Sequence, residues 1–164
     1  MMKKYAIGLM ALLGLIATGS PVLAHCEVPC GIYDDQARIN EMHEDVSTIE
    51  KAMIQVKELS AEGDKNYNQI VRWITTKEEH AKNIQHLAQQ YFLTQRIKPK
   101  PMDDEAGYKK YIEELKLLHG ILIEAMKCKQ TLDTTHVAAL HDHLEKFAAS
   151  YFDLEKKKDD SKKK

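Results

Sequence analysis

The 164-residue chain is long enough for one domain with a sizeable core. Its 24 basic and 25 acidic residues leave a formal charge of −1, which lacks the basic footprint of a nucleic-acid binder. Charged residues at 30%, aromatics at 7% and only 7 Gly and 4 Pro favour long helices over a sheet-rich fold.

Residues 1–24 read as a secretory signal. Lys3 and Lys4 give a positive start, Ala6 to Thr18 a short apolar run, and Val22-Leu23-Ala24 a cleavage context. The run falls short of the roughly 20 residues a spanning helix needs. The expected product is therefore exported, to the periplasm or the extracellular space, and keeps no membrane segment. Removal of this stretch takes away two lysines and no acids, leaving 22 basic against 25 acidic residues and a charge of −3.

Cleavage after Ala24 makes His25 the new N-terminus of His25-Cys26-Glu27-Val28-Pro29-Cys30-Gly31-Ile32-Tyr33. His25 then offers an α-amine and an imidazole, Cys26 a backbone amide and a thiolate, and Cys30 a second thiolate once Pro29 and Gly31 turn the backbone. An amine with an unperturbed pKa of about 7.7–8.0 is available as a ligand near neutrality. Thiolates and nitrogens in a plane favour nickel(II) or copper(II). Zinc would accept the same side chains but has no redox chemistry. Against a metal stands a plain Cys26–Cys30 disulfide, the ordinary state of paired cysteines in an exported protein.

The pattern His-Cys-x-x-Pro-Cys-x-x-Tyr behind a cleavage point resembles the nickel-binding hook of nickel superoxide dismutases, and every fixed position is kept here. The resemblance implies dismutation of superoxide, a small anion, by nickel cycling between two oxidation states. It implies that Cys26 and Cys30 supply thiolates, Cys26 its amide, His25 its amine and an axial imidazole, and that Tyr33 borders the open face, as catalytic residue or as a buttress. A hexamer is the family's assembly. The family also carries a glutamate on the first helix that supports the axial imidazole. Matching Ala37-Arg38-Ile39 to the family's run puts Asn40 there, with Glu41 and His43 as substitutes between which the sequence does not choose.

Beyond the hook, residues 34–155 read as four amphipathic helices. Asp34 and Asp35 start the first, over 35–61, where Ile39, Met42, Val46, Ile49, Met53 and Val56 recur at 3-4-3-4-3 spacing and Gly63 ends it. At that spacing the two methionines belong to the core rather than to a metal. Asp64 or Asn66 caps the second helix, whose stripe is Tyr67, Ile70, Ile74, Ala81, Ile84, Ala88 and Tyr91, interrupted by Lys77. It stops near Ile97, before Lys98-Pro99-Lys100-Pro101. His80 and His86 face different ways.

The third helix is expected over 103–129 on Tyr108, Tyr111 or Ile112, Leu115, Leu118, Leu122 and Ala125 or Met126, with Gly120 allowing a close approach and Cys128 a packed thiol. The fourth follows a turn at 131–134 and carries Val137, Leu140, Leu144, Phe147, Tyr151 and Leu154. His136, His141 and His143 look like a cluster in the text, but on a helix they point apart. Residues 156–164, with six lysines and two aspartates among them, read as a frayed tail.

The expected architecture is all-α, an antiparallel four-helix bundle carrying the hook at its N-terminus. Trp73, Tyr67 and Tyr111 are the candidate anchors of a homo-oligomer. A competing function is an exported nickel- or copper-binding protein for storage or sequestration, and a third is a helical oligomer whose arm is closed by a disulfide.

Overall fold

The computed structural model describes residues 31–63 and 65–162, with side chains through Phe152. Among the described residues four α-helices follow one another: α1 (Asp35–Ala61), α2 (Tyr67–His86), α3 (Glu105–Gln130) and α4 (Thr134–Lys162). No strand occurs among the described residues, and no helix among them is long and apolar enough to cross a membrane. α1 packs on α2 and α4, and α3 packs on the same two. Asp35 at the start of α1 meets Arg96 after the end of α2 and Tyr151 late in α4. Lys77 in α2 meets Cys128 near the end of α3. Neighbours therefore run antiparallel, and the fold is the expected four-helix bundle.

The α1 stripe is buried at all six expected positions, and in α4 Val137, Leu140, Leu144, Phe147 and Tyr151 are buried as well. Asp34 caps α1 by accepting the Ala37 amide at 3.0 Å, and Asp104 caps α3 through Gly107 at 3.0 Å. Gly63, left-handed at φ +76°, follows the end of α1. The backbone of α4 stays helical to Lys162, through most of the stretch expected to fray.

Three expectations change. In α2, Tyr67 and Ile74 are exposed, because the first turns of this helix extend beyond the core. In α3 the buried face is Leu117, Leu118, Ile121, Ala125 and Cys128, with Leu115 and Leu122 only partly covered. Apolar residues lie almost all round that helix, so their period does not choose a face. Lys77 is no gap in the stripe. It is 3% exposed, and its ammonium donates to the Cys128 and Lys129 carbonyls at 2.6 Å each. A cation there answers the orphan carbonyls and negative dipole end of α3.

The second helix also changes its winding. From Leu87 to Arg96 it is π-helical, closing with Ile97 N–H to Phe92 C=O at 2.8 Å. Thr94 and Gln95 reinforce it by donating to the carbonyls five residues back, at 2.8 and 2.9 Å. Leu87, Tyr91 and Gln95 are buried, as are Ala88 and Phe92, so the buried face here recurs every four residues. Phe92 sits at 0% exposure with the rings of Tyr91, Phe147 and Tyr151 edge-on to it at 5.0, 5.0 and 5.6 Å. This aromatic cluster closes the core at the end where α1 begins.

Candidate active site at the start of the first helix

The chain enters the bundle through Gly31, whose φ of +80° is left-handed and strained for any residue with a Cβ. Ile32 projects outward at 82% exposure. Tyr33 is held from two sides. The Arg96 guanidinium lies 4.4 Å from its ring centroid, and the Tyr91 ring meets it edge-on at 5.9 Å. It still keeps 39% of its surface in solvent, so it is both anchored and able to meet a small anion.

Asp35 is what fixes Arg96. Its carboxylate is 8% exposed and accepts hydrogen bonds from Tyr91 (2.6 Å), Tyr151 (2.7 Å), Arg96 Nε (2.8 Å) and Arg96 Nη2 (2.5 Å). Burial acts to raise its pKa, but the bonds from Arg96, Tyr91 and Tyr151 outweigh burial and hold the carboxyl below its usual value. Burial, and then the bond to Asp35, pushes both tyrosine hydroxyls up. They therefore remain protonated donors.

The π-winding makes this convergence possible. Tyr91 and Arg96 are five apart, roughly 140° round an ordinary α-helix, yet both reach the same carboxylate. The sequence reading gave Asp35 only a place in the first turn. The missed signal was the pair of tyrosines late in two apolar stripes, whose hydroxyls need a buried partner.

The expected metal ligands His25, Cys26 and Cys30 lie outside the described residues. Of the three candidates for the support of the axial imidazole, Asn40 is exposed and accepts from Gln36 at 2.8 Å. Glu41 pairs with Arg38 at 2.7 Å and accepts from Asn83 at 3.0 Å. Burial opposes its charge, and the bonds from Asn83 and Arg38 win, leaving its pKa lowered. His43 is turned toward Glu145 on α4, 3.4 Å away.

The other polar candidates are spent structurally. His80 Nδ1 lies 2.6 Å from Asp45 Oδ1, and His136 Nδ1 lies 2.8 Å from Glu124. His143 packs on Gly120, where an added Cβ would sit 2.8 Å from its ring. Cys128 is fully buried, and burial pushes its thiol up to about 11, too high to offer a thiolate near neutrality.

With the bundle and the anchored Tyr33 in place, the comparison with known proteins decides the reading. A family profile described as nickel-containing superoxide dismutase matches residues 20–156, from ahead of His25 into α4. The chain belongs to that family. No curated protein and no solved structure matches it. The protein is a superoxide dismutase, an oxidoreductase that uses nickel and takes superoxide as substrate. The donor set fits the metal: two cysteines and a histidine offer the sulfur and nitrogen ligands that late transition metals take.

Proposed function

We propose that His25, Cys26 and Cys30 hold the nickel of this dismutase and that Tyr33 borders the approach of superoxide. Nickel supplies the one-electron oxidation and reduction when bound. The observation that carries the assignment is the anchoring of Tyr33, three residues after Cys30, by Arg96 at 4.4 Å. That clamp fixes one side of the approach, while the exposed part of the tyrosine offers a hydroxyl donor to a small anion. Cys26→Ser and Cys30→Ser are each expected to remove nickel and activity, whereas Cys128→Ser keeps both. Metal analysis beside superoxide consumption decides this. A Cys26–Cys30 disulfide in active, nickel-loaded protein overturns the assignment.

The proposal extends to processing and assembly. Residues 1–24 are cut off during export to the periplasm or extracellular space, which frees the His25 amine. The mature chains associate as the family's hexamer, so that neighbouring bundles cover an N-terminal arm that otherwise frays and exposes its thiolates to peroxide. In support, Tyr67, Val71 and Ile74 of α2 and Ile54 of α1 are 61, 60, 40 and 42% exposed. Large exposed apolar residues of this kind suit a second copy of the chain. Of the three expected anchors only Tyr67 stands out in this way. Tyr111 packs on the core, and Trp73 is half-buried with the Lys51 ammonium 5.8 Å from its ring. Light scattering on the nickel-loaded protein is expected to give a hexamer, and a fully active monomer removes this part of the proposal.

A further inference from the structure

We propose that His43, His141 and Glu145 form a second metal site, for a zinc-class divalent cation, on the seam between α1 and α4. His141 and Glu145 are four residues apart and so share one face of α4. His43 comes from α1. Glu145 Oε1 lies 3.4 Å from His43 Nε2 and 3.7 Å from His141 Nε2. One ligand atom from each of the three residues falls within 4.8 Å of the others. The two imidazole rings are 5.5 Å apart and tilted by 63°, so they are not stacked on each other.

Two imidazoles and a carboxylate, with the fourth position left to water, are a ligand set zinc takes at about 2.0–2.2 Å. Ligand atoms around such an ion stand about 3.3 Å apart. The carboxylate is already near that distance from both rings, and small rotations complete the site. Those rotations are open to His141 and Glu145, whose side chains are 55 and 58% exposed, while His43, at 28%, is set into the seam. On the same helix Asp142 is engaged by Lys146 at 2.6 Å, and His143 faces Gly120. The site has no sulfur ligand and differs from the hook in chemistry. It would clamp the first helix to the last.

The test uses mature, nickel-loaded protein, so that the hook is already filled. Calorimetric titration with zinc chloride is expected to show one further equivalent, with the nickel content unchanged and the melting temperature raised. In His141→Ala that equivalent disappears, and in Glu145→Gln affinity falls at least tenfold. The exposed His119→Ala serves as control and keeps both. No added equivalent, uptake that displaces nickel, or uptake unchanged in His141→Ala each overturns the proposal. His141→Ala is expected to keep its nickel and its dismutase activity, which separates this site from the hook.

Discussion

One extra alanine ahead of His25 in the mature protein is expected to abolish dismutase activity while leaving the helices intact. The insertion converts the terminal amine into a peptide amide, whose lone pair is delocalised into the carbonyl so that it binds a metal only after losing its proton, and it moves the first free amine one residue away from the thiolates. Removing even a partner of a metal ligand typically costs 10–100-fold, so losing a ligand is expected to cost more than about 100-fold. Helicity is unaffected, because α1 begins at Asp35 under its own cap at Asp34. Superoxide consumption, metal analysis and circular dichroism on one preparation read the three quantities. Full activity with a normal complement of nickel would sink the assignment of His25 as a ligand.

The bundle was legible where a helix has one apolar face and a polar remainder. Ile39 through Val56 and Val137 through Tyr151 announce their core faces by spacing alone, because each buried side chain contributes about 1.5–3 kcal/mol and a displaced stripe would forfeit several of them. The signal fails for α3, where Leu117 and Ile121 compete with Leu115 and Leu122 for the same face. It fails differently at Lys77, because a buried lysine is explained only by the carbonyls of another helix, 51 and 52 residues away in sequence.

The site divides in the same way. Its proposed metal-binding half is local chemistry, and nine consecutive residues are enough to suggest nickel and the family. Its supporting half is not local. Asp35, Tyr91, Arg96 and Tyr151 are separated by as many as 116 residues, and their meeting depends on the switch from α to π winding at Leu87. Nothing in Leu87–Arg96 marks that switch in composition. It shows only in where the side chains arrive. Likewise the apparent histidine cluster of α4 dissolves, with His136 on Glu124, His143 on Gly120 and His141 beside His43 of another helix.

Asp35→Ala is expected to be the most damaging single change in the described part of the protein. It strips the charge partner from Arg96, whose side chain is only 25% exposed, and takes the acceptor from two buried tyrosine hydroxyls. Breaking a buried pair by deleting one member typically costs 3–5 kcal/mol, and urea or thermal unfolding measures it. Activity should fall with it, since a loosened Arg96 no longer clamps Tyr33. The pH dependence has a definite sign. Because the folded-state pKa of Asp35 lies below its unfolded value of about 3.9, its contribution is complete above that pH and is lost as pH falls through the folded value. Asp45 and Glu114 run the other way: burial raises both above their usual range, so protonation favours the fold and their ionisation opposes it. The gap in stability between wild type and Asp35→Ala should therefore be widest at neutral pH and shrink below about pH 3.9, with the Asp45 and Glu114 terms cancelling between the two proteins. A gap that stays constant down to pH 2 would mean that the Asp35 charge adds nothing, and that the network holds Tyr33 through packing alone.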